Sequence, residues 1–184
     1  MQRDLALIIT AASTGLRVGE LFGLRWADVD FSDRKINVRQ AITVDNTLAA
    51  PKTKAAFRSV PMSDQLMDTL KEWKRVYKMI LRVKSHHDLV FCNRDGDALD
   101  KSNYCKRNWN LLQKAAGVKF QLRLLRHYYA SKIFYGGQHS IEEITYVMGH
   151  TSVAVTQKHY AHWIHDPSRD QSSVNKMNAV MGVL

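Results

Sequence analysis

Residues 121–163, QLRLLRHYYASKIFYGGQHSIEEITYVMGHTSVAVTQKHYAHW, carry the pattern from which the rest of the chain can be interpreted. Arg126 lies among apolar residues at helical spacing, so we expect its side chain to project from a rigid helix. His150 follows Gly149, a glycine typical of a helix end, and a further helix leads to Tyr160. An arginine, a histidine and a tyrosine on successive short helices predict a site for an anion.

The same stretch contains clear helix-start signals. Ser140 and Glu143 have the spacing of a capping box, which predicts a helix over residues 141–148. The adjacent carboxylates Glu142 and Glu143 are therefore interpreted as charges at a helix start rather than as metal ligands. Thr151 or Ser152 can cap the helix that follows.

Composition points to a basic, globular protein. The chain has 184 residues, of which 45% are hydrophobic and 24% charged, enough for one well-buried domain or one domain with an appendage. The formal net charge is +10 and the isoelectric point is about 9.7. This charge favours a polyanionic partner, with nucleic acid as the first expectation, over a protein that is merely basic.

Cysteine usage and hydropathy narrow the classes of protein to which the chain can belong. Cys92 and Cys105 form no CxxC pair, and His86-His87 is the one nearby histidine pair, so we predict free thiols and no zinc site. The chain contains no apolar run of the roughly 18 residues that a membrane span needs, and its start lacks the pattern of a signal peptide.

Periodicity along the chain predicts a mainly α fold with a small antiparallel β-sheet, an α+β class. Helices are expected over residues 2–13, 18–24, 63–80 and 102–116, and strands over residues 35–44 and 57–61. Lys52 then lies on the connection between the two strands, a position suited to reaching a ligand. Lys54 and Arg58 are the alternatives to Lys52 for that role.

Arg17 lies between Gly15 and Gly19 at the start of a predicted helix. A cation is poorly placed at a helix N-terminus unless an anion lies nearby. Glu20, three residues further on, can hold the guanidinium in position. The alternative is an ordinary helix ion pair worth about 0.3 kcal/mol.

Taken in order, these motifs resemble those of the tyrosine recombinases, the phage integrase family. The matching segments are TGLRVGEL (14–21), PKTK (51–54), LRLLRH (122–127), MGH (148–150), and Tyr160 with a histidine two residues later. The resemblance implies a catalytic domain over residues 1–166 and a tail over residues 167–184 with a short docking helix. It also implies that the N-terminal arm and core-binding domains usual in the family are absent from this chain.

The resemblance further implies a reaction. Tyr160 would attack a DNA phosphodiester to form a 3′-phosphotyrosine link, with no metal or cofactor. Arg17 and Arg126 would clamp the phosphate, His150 would bind it or take the phenol proton, and Lys52 would protonate the leaving oxygen. Other tyrosines near Tyr160 fall in helix-packing patterns and are not expected to be the nucleophile; they are Tyr128, Tyr129, Tyr135 and Tyr146.

One position departs from the family pattern. Arg123 lies three residues before Arg126, where the family usually has a histidine. Arg123 can still donate to a phosphate oxygen, but its guanidinium is a poor base. His127, next to Arg126, is expected to point elsewhere on the helix and not to replace that histidine.

The expected partner is double-stranded DNA in the bacterial cytoplasm, at the nucleoid, with no membrane association. Self-association into a tetramer on DNA through the tail is also expected from the resemblance. Two alternatives stay open: a catalytically silent DNA-binding regulator with the same fold, which Arg123 would suit, and type IB topoisomerase chemistry, which uses similar residues.

Overall fold

The structure, a computed structural model, describes residues 2–51, 53–80 and 87–164, and for residue 80 and residues 159–164 the backbone alone. The helices are α1 Gln2–Thr14, α2 Val18–Phe22, α3 Asp64–Ile80, α4 Lys101–Tyr104, α5 Asn110–Ala115, α6 Leu124–Tyr135, α7 Ile141–Met148 and α8 Val153–Ile164. The strands are β1 Val29–Asp30, β2 Lys35–Val38, β3 Ala41–Ile42, β4 Leu48–Ala49 and β5 Arg58–Pro61. Short 3₁₀ turns cover Trp26–Asp28 and Lys54–Ala56. The predicted class, mainly helical with a small antiparallel sheet, is confirmed.

Helix α1 lies at the centre of the core. Its sequence is apolar on most of its circumference, and Leu7 and Ile8 are almost completely buried. The helix packs against α3 on one side and α6 on another. Thr10 is also completely buried, and its hydroxyl donates to the Ala6 carbonyl at 2.7 Å. Because α1 is fixed on several sides, the residues that follow it start from a rigid position.

The strands form two separate sheets. A three-stranded antiparallel sheet has the order β1-β2-β5, and β3 pairs with β4 in a hairpin. The prediction of one continuous strand over residues 35–44 is therefore wrong. The chain leaves the first sheet at Arg39 and Gln40, where the Gln40 side-chain amide donates to the Gly23 carbonyl at 2.7 Å.

Helix α7 has the start and end that its sequence predicts. The Glu143 amide donates to the Ser140 hydroxyl at 3.2 Å, and the Ser140 amide donates to the Glu143 carboxylate at 2.9 Å. Gly149 ends the helix in the left-handed conformation, with φ of 63°. The helix packs against α6, α8 and β5, so its C-terminal end lies where those elements meet.

The helices predicted over residues 63–80 and 102–116 are also present. Helix α3 covers the predicted stretch, and the indole of Trp73 donates to the Val90 carbonyl at 2.8 Å. The helix expected over residues 102–116 runs from α4 to α5 through a π-helical stretch at Cys105–Trp109. The docking helix expected in the tail lies outside the described residues. None of the helices in the described ranges is both long and apolar enough to span a membrane.

Candidate functional site

Arg126 projects from the first turn of α6 toward the ends of two other helices. Its Nη1 donates to the carbonyl of Gly15, directly after α1, at 2.5 Å. Its Nη2 donates to the carbonyl of Met148, the last residue of α7, and lies 3.2 Å from Nε2 of His150. Helix C-terminal carbonyls lack intrahelical donors and carry partial negative charge, so they suit a guanidinium. Arg126 is thus held in one orientation.

Arg17 reaches the same place from the start of α2. Its Nη2 donates to the Gly149 carbonyl at 2.8 Å, and its Nη1 donates to Glu20 at 2.9 Å. The side chain keeps 43% of its surface exposed, so the guanidinium is accessible while two of its five N–H donors are fixed. The predicted contact between Arg17 and Glu20 is confirmed.

Glu20 binds a second arginine in addition to Arg17, which an ordinary ion pair within a helix would not do. Its carboxylate also accepts two hydrogen bonds from Arg58, at 3.0 and 2.9 Å. Burial alone would raise the pKa of Glu20, but the hydrogen bonds and charges of Arg58 and Arg17 outweigh burial and lower it. The carboxylate therefore stays ionised and holds the guanidiniums of Arg17 and Arg58 next to each other.

Arg58 is the functional-site residue whose role the sequence did not reveal. Its side chain is 0% exposed, and its Nε donates to the Val147 carbonyl near the end of α7 at 2.6 Å. Its hydrogen bonds link β5 to α2 and α7. Because its side chain is fully buried, Arg58 cannot reach a ligand as an acid in the described structure. One signal was present: alternation in β5 puts Arg58 on the same face as the fully buried Val60.

His150 follows the glycine that ends α7. Its Nδ1 lies 2.9 Å from the hydroxyl of Thr156, which is itself 0% exposed in α8. With Arg126 at Nε2 and Thr156 at Nδ1, the ring is fixed at both nitrogens. Its orientation is therefore set before any ligand binds.

Arg17, Arg126 and His150 all line one cleft of about 680 Å³. Pro51 and Thr53, the residues on either side of Lys52, line the same cleft. Lys52 itself lies outside the described residues, and its alternative Lys54 is exposed in a 3₁₀ turn. The loop predicted to carry the acid thus borders the cleft that contains both arginines and the histidine.

Tyr160 belongs to α8, the helix whose first turns contribute Val155 to the cleft and Thr156 to the contact with His150. The backbone of Tyr160 is described, and it lies four residues after Thr156. The position of the phenol lies outside the described side chains. The role of Tyr160 as nucleophile therefore stays a prediction.

Arg123 and His127 line different cavities beside Arg126. Arg123 is exposed and lines a neighbouring cavity of about 270 Å³ together with Lys101. Arg17 and Arg126 line both cavities, so Arg123 adds positive charge beside them. His127 lines the large cleft, against the expectation that it points elsewhere, whereas the expectation that it does not replace the family's histidine stays a prediction.

The tyrosines that are not expected to be the nucleophile differ in burial and in contacts. Tyr128 is 7% exposed, and the hydroxyl of Tyr146 accepts a hydrogen bond from the Ser59 amide at 3.3 Å. Tyr129 lies directly against Gly15, and burial raises the pKa of its phenol. Tyr135 is 45% exposed near the end of α6.

The arrangement can hold a tetrahedral oxyanion with fixed geometry. Two guanidiniums, aligned by carbonyls and by Glu20, converge with an imidazole on one cleft, and guanidiniums bind phosphate oxygens bidentately. Among the residues that the structure describes, no three histidine, cysteine, aspartate or glutamate side chains cluster as metal ligands would. The fold and the cleft together define a helical domain with a site suited to an anion.

The chain belongs to the phage integrase family, whose family model matches residues 1–165. It is 30% identical to a tyrosine recombinase XerC-like protein of Caldanaerobacter subterraneus subsp. tengcongensis, over 94% of this chain and 48% of that protein. The crystal structure of the XerA recombinase has a TM-score of 0.69 at 28% identity, over 85% of this chain and 52% of that one.

A second solved structure has the same fold at lower sequence similarity. The Tn1549 transposon integrase in complex with transposon right end DNA matches with a TM-score of 0.71 at 21% identity, over 94% of this chain and 57% of that one. The chain spans about half the length of the relatives that it matches. Family membership therefore describes this domain, and the activity of a whole protein is a separate question.

Proposed function

We propose that this chain is the catalytic domain of a tyrosine site-specific recombinase, the integrase of a phage or another mobile element. The observation that carries the proposal is the meeting of Arg17, Arg126 and His150 in one cleft, next to the loop of Lys52. These residues come from three of the five motifs that resemble the family. The boundaries of that domain, residues 1–166 with a tail over residues 167–184, are part of the proposal.

Arg17 and Arg126 would bind the non-bridging oxygens of one DNA phosphate. Both guanidiniums are already held by carbonyls and by Glu20, so little reorganisation is needed when negative charge develops in the transition state. Each would supply about 3 kcal/mol of transition-state stabilisation, by analogy with a single oxyanion donor. Arg123, from the neighbouring cavity, would add attraction for phosphate without acting as a base.

The chemical step is an exchange of one phosphate ester for another. The Tyr160 oxygen forms a bond to phosphorus, the bond from phosphorus to the 5′ oxygen breaks, and a 3′-phosphotyrosine link results. The phenol proton passes to Nε2 of His150, and Lys52 donates a proton to the leaving 5′ oxygen. The reverse sequence rejoins a strand, so no nucleotide cofactor is required.

The proposed substrate is double-stranded DNA. A net charge of +10 suits a polyanion, and the related Tn1549 integrase was solved in complex with transposon DNA. A DNA substrate would place the protein in the bacterial cytoplasm, at the nucleoid. Assembly into a tetramer on DNA through residues 167–184 is a further part of the proposal.

The test is covalent capture on a suicide DNA substrate that contains the cognate site. The expected result is a protein–DNA adduct that survives denaturation and disappears in Tyr160→Phe. Tyr146→Phe is the matched control, because Tyr146 is an exposed tyrosine of the same region, and it should keep the adduct. An adduct in Tyr160→Phe would overturn the assignment. DNA binding without an adduct in the parent would favour a silent regulator.

A further inference from the structure

His150 can act at the cleft only if the correct ring nitrogen carries its hydrogen. Nε2 lies 3.2 Å from Nη2 of Arg126, and Nδ1 lies 2.9 Å from the hydroxyl of Thr156. A guanidinium has N–H donors and no acceptor, so the contact with Arg126 requires a lone pair on Nε2. A neutral ring with a lone pair on Nε2 has its hydrogen on Nδ1.

Two buried threonine hydroxyls on the other side of the ring indicate the same tautomer. The Thr145 hydroxyl donates to the carbonyl of Ile141 at 2.7 Å, and a carbonyl can only accept. The Thr145 and Thr156 oxygens lie 2.7 Å apart. Since each hydroxyl has one hydrogen, Thr145 must accept from Thr156. Thr156 must then accept from Nδ1 of His150.

We propose that Thr156 and Thr145 are positioning residues that hold His150 in the Nδ1–H tautomer, with the Nε2 lone pair directed at Arg126 on the side of the cleft. The hydrogen bonds run in one direction from Arg126 through His150 and the two threonines to the Ile141 carbonyl. Both threonines are buried, at 0% and 8% exposed, so water does not compete for their hydroxyls. The catalytic part of this inference rests on the proposed function.

The hydrogen bonds from Nδ1 of His150 through Thr156 and Thr145 to the Ile141 carbonyl form a relay. This relay would hold the His150 ring in place both before and after proton transfer. When Nε2 takes the phenol proton, its hydrogen bond from Nη2 of Arg126 is lost, whereas Nδ1 keeps its hydrogen and still donates to Thr156, so neither threonine has to turn. Thr156 also lies in α8, four residues before Tyr160, and Thr145 lies in α7. The hydroxyl pair therefore joins the helix that leads to the histidine with the helix that carries the proposed nucleophile.

The tautomer can be read directly by NMR on the full 184-residue chain without DNA. Two-bond ¹H–¹⁵N correlations of ¹⁵N-histidine distinguish the Nδ1–H form from the Nε2–H form, and loss of a signal in His150→Asn assigns it. The parent is expected to show Nδ1–H. Thr156→Val keeps the side-chain shape but removes the acceptor, and should shift His150 toward Nε2–H. Thr156→Ser should restore the parent pattern.

Thr10→Val is the matched control. Thr10 is also 0% exposed, and its hydroxyl donates to a helical carbonyl at 2.7 Å, as that of Thr145 does, but it lies in α1. This variant should leave the His150 signals unchanged. Thr145→Val, which removes the acceptor for the Thr156 hydrogen, should raise the Nε2–H fraction and gives a second route if Thr156→Val does not fold.

The inference is overturned if the parent shows Nε2–H, or if Thr156→Val and Thr145→Val both keep the parent pattern. Adduct formation is measured separately on the suicide substrate. General base catalysis contributes about 100-fold or more, so Thr156→Val should slow the adduct at least about tenfold and Thr156→Ser much less. An Nδ1–H parent that forms no adduct would refute the proposed function and leave the relay intact.

Discussion

Substituting Gly149 by alanine should cost far more stability than the same substitution at another left-handed glycine. Gly149 has φ of +63°, and an added Cβ would lie 2.8 Å from Nη1 of Arg58 and 3.2 Å from Nη1 of Arg17. Gly137 has φ of +64°, but a Cβ there would meet no atom of the described structure within 4 Å. Comparing the two variants therefore separates the cost of backbone strain from the cost of a collision with Arg58 and Arg17.

The expected magnitudes follow from these contacts. Left-handed backbone costs an alanine about 1–2 kcal/mol at either position. At Gly149 the fully buried Arg58 has no space to retreat, so it must weaken at least one charge-assisted bond to Glu20, which adds about 1.5–3 kcal/mol. We therefore expect Gly149→Ala to lower the free energy of unfolding by about 2.5–5 kcal/mol, against about 1–2 kcal/mol for Gly137→Ala.

Urea unfolding of the parent and both variants, followed by tryptophan fluorescence and circular dichroism, gives these free energies if the two probes coincide. A Gly149→Ala chain that does not fold would also agree with the larger cost, provided that Gly137→Ala folds. Equal losses in the two variants would refute the reasoning, because they would show that Arg58 yields to the new methyl group without loss of its bonds.

Two further predictions concern Glu20 and Arg126. The folded-state pKa of Glu20 is lowered, so its contribution to stability is complete above its ordinary pKa of about 4.3 and is lost as pH falls through the lower folded value. Glu20→Gln should therefore be less stable than the parent at about pH 7 and lose less on acidification to about pH 3, and parallel pH profiles from urea midpoints would contradict this. Arg126→Lys keeps the charge but cannot bind the Gly15 and Met148 carbonyls through two nitrogens at once, so adduct formation should fall about 100-fold, whereas Arg123→Lys, as control, should lose much less.

The sequence predicted local structure well where the signal is local. The capping box at Ser140 and Glu143 and the glycine end at Gly149 depend on residues three to nine positions apart, and all are present. The ordered motifs predicted that Arg17, Arg126 and His150 would share a site, and they line one cleft.

The errors involve contacts between distant parts of the chain. The strand predicted over residues 35–44 is divided because Gln40 binds the carbonyl of Gly23, which no pattern within the strand indicates. Arg58 is buried because Glu20 and Val147 supply its partners from 38 and 89 positions away. In a single sequence, alternation can put Arg58 on the buried face of β5 but cannot name its partners, and a threonine such as Thr156 on a helix resembles an ordinary surface residue.

The arginines that would bind phosphate also close the ends of helices, since Arg126 satisfies carbonyls after α1 and at the end of α7, and Arg17 satisfies that of Gly149. Many enzymes gain stability when a catalytic charge is deleted, but here deletion would leave those carbonyls without their donors. Mutants at these positions should therefore be less stable and be removed by cellular proteases instead of accumulating as inactive protein. Resistance to proteolysis and catalysis would then both select for Arg17 and Arg126.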